Sequence, residues 1–316
     1  MEEYDIKSTM FQPQDIVLRD DAMHQRDTFS HIETWYYDAL FDNNYSVVTL
    51  VNVFKFGNQG LVLTGMFIYK DTHLVKNTRR RYLYKSLAGS EDVPLIKIKN
   101  KELIRGYIDK NTGAWLFTIS MEDSDSGVDL KLIKKTTPWK GNTPLGNWLV
   151  IPRFDVQGTL KLDGKKIEVS GVGYHDHNIY PIYAPFKIRG YHFGKIAVDT
   201  DSITWARILR KRSDEHRIVV LNKDDQYLSI DPNDIRYTIK KEMISDGKPI
   251  PDVFQLQVEN NHLSIDITME TMNVHQIRMP GLRYWRSHLH TVGTIRTDTY
   301  SKHVDGIEIS ELLKFF

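Results

Sequence analysis

The stretch GTLKLDGKKIEVSG, Gly158 to Gly171, reads as two strands joined by a tight turn. Asp163-Gly164 at its centre supplies two positive φ angles, which a two-residue hairpin turn requires and most residue pairs resist. Runs of Val, Ile, Tyr, Phe, Trp and Thr recur along the chain: Tyr45 to Phe56, Leu61 to Tyr69, Ala114 to Ile119, Val128 to Ile133, Ile203 to Leu209 and Leu263 to Met269. VDLKLIKK from Val128 and HLSIDITME from His262 alternate apolar with polar residues, the period-2 pattern of half-buried strands. Helical signals are scarce; SELLKFF, Ser310 to Phe316, reads as a short terminal turn of helix. Many strands without alternating helices predict an all-β chain of antiparallel sandwiches or up-and-down barrels.

The same stretch has a faint echo downstream. GTLKLDGKKIEVSG from Gly158 aligns with GTIRTDTYSKHVDG from Gly293 at an offset of 293 − 158 = 135, matching Gly158/Gly293, Thr159/Thr294, Asp163/Asp298, Val169/Val304 and Gly171/Gly306. The offset also pairs Gly146 with Gly281 and Asp176 with the acidic Glu311. A fixed period points to repeated units. Two β domains are therefore expected, residues 1–180 and 186–316, joined near NIYPIYAP, where Pro181 and Pro185 interrupt strand pairing.

Composition narrows the function classes. Of 316 residues, 41% are hydrophobic, enough to fill real cores, and Lys+Arg 42 against Asp+Glu 41 leaves a net charge of +1. Such a balance gives none of the basic field that a nucleic-acid binder uses, so no nucleic-acid partner is expected. With zero Cys there are no disulfides, thiolate nucleophiles or cysteine–zinc sites. The start, MEEYDIKSTMFQPQD, lacks the basic end and apolar run of a signal peptide, and no stretch approaches a membrane helix, so a cytoplasmic location is expected. The P-loop and serine-elbow patterns are absent, and GVGY from Gly171 lacks the later glycine of a dinucleotide fingerprint.

The densest polar cluster is GVGYHDHN, Gly171 to Asn178. On a pleated strand, Tyr174, Asp176 and Asn178 point one way while His175 and His177 point the other. If the even face lines a pocket, Asp176 is placed to give or take a proton. If the odd face does, His175 and His177 form a pair with metal-ligand spacing, but no spaced third ligand follows, and no metal is expected. A bulge at Gly171 and Gly173 would exchange the two faces. Two further segments carry aromatics. HIETWYYDA, His31 to Ala39, sets Trp35, Tyr36 and Tyr37 in succession, with Glu33 and Asp38 able to hydrogen-bond inward. WKGNTPLGNWLVIPR, Trp139 to Arg153, runs from a Gly/Pro loop into a strand with Trp148. Core packing is the plain reading of such aromatics.

In this order, the segments resemble the carotenoid 1,2-hydratase (hydroxyneurosporene synthase) and AttH-type family. Its EWWYxDx-like and GxGYxDHxW-like segments are matched by Glu33, Trp35, Tyr36, Asp38, Gly171, Gly173, Tyr174, Asp176 and His177, while Thr34 and Ile179 stand where the family often has Trp. The resemblance implies two lipocalin-like β domains side by side, with room for one apolar ligand and no cofactor. It further implies hydration of an isoprenoid C=C bond, or cyclase or pericyclase chemistry as in some relatives.

Protonating an alkene carbon demands a neutral carboxylic acid, hence a pKa raised by burial. Asp176 is the expected donor, with Tyr174 bonding the acid or the water and His177 taking the proton from the attacking water. Trp35, Tyr36 or Trp148 would face the developing cation, and His175 and Asn178 would contact substrate. A binding protein for a hydrophobic ligand is the non-enzymatic alternative. The runs Arg79-Arg80-Arg81 and Arg210-Lys211-Arg212 read as exposed faces, with peripheral contact to anionic headgroups the functional alternative. Tyr284-Trp285 beside Arg286, His288 and His290 reads as core of the second unit.

Overall fold

The computed structural model describes residues 16–24, 29–211, 215–223, 226–279 and 281–315. Arg212 and the polar start Met1 to Asp15 lie outside them. Among the described residues the regular structure is strand, broken only by short 3-10 turns, and the chain divides into two compact units, Met1–Ala184 and Pro185–Phe316.

Unit 1 contains β1 (Ser30–Phe41), β2 (Tyr45–Phe56), β3 (Gln59–Lys70), β4 (His73–Leu83), β5 (Leu87–Gly89), β6 (Leu95–Ile98), β7 (Lys101–Ile108), β8 (Trp115–Asp123), β9 (Ser126–Lys134), β10 (Trp139–Asn142), β11 (Asn147–Leu162) and β12 (Lys165–Pro181). They form one antiparallel sheet in the order β4-β3-β2-β1-β12-β11-β9-β8-β7-β6-β5, with β10 beside β11. The sheet curls into a nearly closed barrel around Trp35, Val51, Val53, Met66, Phe117, Ile151 and Phe154.

Unit 2 contains β13 (Ile188–Val198), β14 (Asp201–Arg210), β15 (His216–Lys223), β16 (Gln226–Ser229), β17 (Ile235–Ser245), β18 (Lys248–Glu259), β19 (Leu263–Met279), β20 (Leu282–Thr297) and β21 (Ser301–Phe315). Its order, β16-β15-β14-β13-β21-β20-β19-β18-β17, repeats that of unit 1 without β5, β6 and β10 and gives a half-barrel over Trp205, Phe254, Leu256, Ile267 and Leu289. Both are the lipocalin-like barrels that the resemblance implies.

The quoted hairpin is β11–β12. Asp163 and Gly164 take φ of 49° and 76°, and Leu162 pairs with Lys165 across the turn. Its echo is β20–β21, occupying the same place in the second sheet. The repeated glycine has a steric cause: a Cβ at Gly158 or Gly293 would lie 2.1 Å from the neighbouring strand's Asp129 or Asp266 carbonyl oxygen. Ser310 to Phe316 departs from the helical expectation. Residues through Phe315 continue β21, and Glu308 to Leu313 are buried on both faces, so the strand shows no alternation to read.

Candidate functional site

Strand β12 pairs with β1 without a register shift, from His31↔Pro181 to Phe41↔Gly171. Against β1 no bulge forms at the glycines; the irregularity lies on β11, between Ile151 and Phe154, opposite His175 and Gly173. Each glycine serves close packing instead, since a Cβ at Gly171 would meet the Leu40 carbonyl oxygen at 2.0 Å and one at Gly173 a Val156 methyl at 2.5 Å. The unbroken pleat splits GYHDHN between two faces, because directly opposed residues share a face.

One face, directed away from the barrel core, collects Tyr36, Asp38, Trp148, Tyr174, Asp176 and Asn178. Tyr36, Asp38, Tyr174 and Asp176 are all buried there. The Tyr174 hydroxyl donates to Asp176 Oδ2 at 2.9 Å, Asn178 Nδ2 donates to Oδ1 at 2.7 Å, and the Tyr36 hydroxyl donates to Asp38 Oδ2 at 3.1 Å. The Tyr36 and Tyr174 rings meet edge to face, and Trp148 packs the same way on Trp139. Five sequence-predicted residues thus share this face: Tyr36, Trp148, Tyr174, Asp176 and Asn178.

The opposite face looks into the barrel and carries Trp35, His175 and His177, together with Glu33. His177 is therefore turned away from Asp176. Its ring stacks on Trp35 at 4.5 Å, its Nε2 lies 3.0 Å from Glu33 Oε1, and its Nδ1 lies 3.1 Å from Asp21 Oδ1. The same Glu33 oxygen accepts from the His24 backbone N–H at 2.9 Å and contacts His24 Nδ1 at 3.1 Å. His175 stacks on Tyr37 and sets its two ring nitrogens 2.8 Å from the Tyr36 carbonyl and 2.9 Å from Asp21 Oδ1. Asp21 ends the 3-10 turn Leu18–Asp21, whose backbone carbonyl accepts the Trp35 indole N–H at 3.1 Å.

Burial alone would raise the Glu33 carboxyl, but His177, His24 and His31 outweigh it and hold it well below the ordinary range. Burial likewise opposes charge on Asp21, and His175 and His177 overcome it. His177 in turn is pushed up to about 9: desolvation works against its proton, and Asp21 and Glu33 prevail. Desolvation, then the charges of Asp21 and Asp176, raise the Tyr37 hydroxyl.

Glu33 turns inward as read from the sequence, whereas Asp38 belongs to the Asp176 face. Asp21 and His24 were not singled out. They come from VLRDDAMH, a segment with no strand period, and reach β12 from more than 150 positions away, Asp21 and His175 being 154 positions apart. Two cavities of unit 1, about 770 Å³ and about 380 Å³, are lined by neither group.

No family model matches the chain, and no curated protein matches its sequence. Solved structures do match in shape. A candidate AttH (NE1406) from Nitrosomonas europaea superposes with a TM-score of 0.67 at 13% identity, over 94% of this chain and 96% of its own. Kievitone hydratase from Nectria haematococca gives 0.60 at 12%, over 90% and 88%. CghA with Sch210972 gives 0.62 at 11%, over 91% and 89%. At such identities the likeness defines the architecture, a two-unit lipocalin-like protein of the AttH shape, and leaves chemistry to the residues. Among the described residues no helix is long and apolar enough to cross a membrane.

Proposed function

We propose that the chain is a hydro-lyase-type enzyme that adds water to, or removes it from, a C=C bond of a hydrophobic small molecule, an isoprenoid or polyene. The observation that carries this reading is Asp176, a carboxyl 2% exposed, held by the Tyr174 and Asn178 donors on one face with Tyr36 and Trp148. A carboxylic acid there gives its proton to an alkene carbon, water attacks the resulting cation, and the water's proton returns to the Asp176 carboxylate through the Tyr174 hydroxyl. His177 has no part in this cycle, since its ring lies on the other face of β12. Tyr36 and Trp148 supply the aromatic faces a cation would meet. That one protein of this architecture is named a hydratase supports the class.

The test is turnover of a panel of isoprenoid and polyene alkenes in heavy-oxygen water. Label entering the product assigns hydration, and a cyclised product without label assigns the ring-forming alternative. Asp176→Asn should fold as wild type and lose at least about a hundredfold in kcat. Full turnover in that variant removes Asp176 from the reaction.

A further inference from the structure

We propose that unit 1 holds a divalent cation of the zinc class between His24 Nδ1, the Glu33 carboxylate and His177 Nε2. The site lies inside the barrel, on the face of β12 opposite Asp176, and is independent of the hydro-lyase reading. Two imidazoles and one carboxylate are a donor set that zinc and its transition-metal neighbours favour. These ligand atoms lie within 4.8 Å of one another. Both ring nitrogens aim at the same oxygen, Glu33 Oε1, at 3.1 and 3.0 Å. A tetrahedral zinc site with bonds near 2.1 Å spaces its ligand atoms roughly 3.4 Å apart, so both nitrogen-to-Oε1 distances need to open by only a few tenths of an ångström to admit a cation.

A second observation points to an ion. Asp21 Oδ2 is a buried acceptor that makes no hydrogen bond, in a side chain 0% exposed, and the second Glu33 oxygen has only His31 Nε2, at 3.5 Å. Such an orphan is costly, and a dication on Glu33 and His177 sets positive charge one imidazole away from the Asp21 carboxylate. Asp21 Oδ1, 3.1 Å from His177 Nδ1, stands where an outer carboxylate orients a metal-bound imidazole. His24, whose side chain is 23% exposed, is the ligand that water and an incoming ion reach. The His175/His177 spacing seen in the sequence therefore misleads about the partner. His175 is committed to the Tyr36 carbonyl and Asp21, and the other ligands come from the N-terminal segment and β1.

The experiment is calorimetric titration of the chelator-treated full-length protein with zinc at neutral pH, paired with cobalt(II) as a spectroscopic probe. One ion per chain, intense visible d–d bands of four-coordinate cobalt, and a zinc-dependent rise in Tm are expected. His24→Ala, at a partly exposed position, should weaken binding at least tenfold and abolish the cobalt bands while the circular dichroism stays that of the wild type. His290→Ala, at an exposed His–Asp pair of unit 2, should leave both unchanged. Absence of zinc binding to the wild type, or binding that survives His24→Ala, overturns the site.

Discussion

Two buried histidines, one in each unit, lie in barrel interiors of the same strand order and are displaced in opposite directions. His177 rises to about 9 because Asp21 and Glu33 outweigh its desolvation. His192 on β13 falls to about 3, driven first by desolvation and then by Arg207 and Lys314. It hydrogen-bonds the Tyr237 hydroxyl at 2.7 Å and packs on Trp205 and Phe254. Burial alone does not decide the sign; the neighbours do. The outer faces differ as sharply. Asp176 takes donors from Tyr174 and Asn178, while its counterpart Glu311 takes Arg286 Nε at 2.8 Å and the Tyr284 hydroxyl. Unit 2 thus sets a guanidinium beside its carboxylate within the same strand pair, whereas on the matching face of unit 1 the neutral Tyr174 and Asn178 side chains donate to Asp176.

The contrast breaks most visibly at Glu33. Glu33→Ala leaves the imidazoles without their shared acceptor and should cost about 3–5 kcal/mol in urea denaturation. A loss below about 1 kcal/mol would show that the cluster is not held by charge. Arg286→Met, which strips Glu311 of its fully buried partner, should cost about 3 kcal/mol, and adding Glu311→Leu should recover most of it. If the double variant is as weak as the single, packing rather than charge explains Arg286.

The acid limb of the stability profile sharpens the histidine comparison. Unfolded histidine takes a proton near 6.5 and folded His192 only near 3, so the unfolded state binds more protons between those values. Stability is fully present above 6.5 and drains as pH falls toward 3, by on the order of a few kcal/mol in all. His192→Phe should flatten that slope; an unchanged slope assigns it to other groups. The smallest effect is at the hairpin. A Cβ on Gly164 meets nothing within 4 Å, so Gly164→Ala should cost only the backbone strain of φ 76°, about 1 kcal/mol by thermal melting.

The strands were legible wherever one face is wet, as in β9 and β19, and the β11–β12 turn was legible because Asp-Gly pairs announce positive φ. The 135-residue echo was legible because backbone contact tolerates only glycine at Gly158 and Gly293. The end of β21 was not, since a strand covered on both sides has no period to read. In the site, the two-faced splitting of GYHDHN followed from pleat geometry, and Glu33 from its place beside the aromatics. Asp21 and His24 were hidden because their partners are distant in the chain and close only after the barrel closes.

One feature of unit 1 reaches beyond chemistry. Its sheet ends on β4, whose outer edge has no strand partner among the described residues and whose strand carries Arg79, Arg80 and Arg81 in succession. All three side chains are exposed, and Arg80 pairs with Asp123. A second copy docking along that edge would stack guanidinium rows at a spacing of about 5 Å. Charge repelling charge along an open strand discourages ribbon growth and amyloid-like templating, a consequence of the sequence that asks nothing of any substrate.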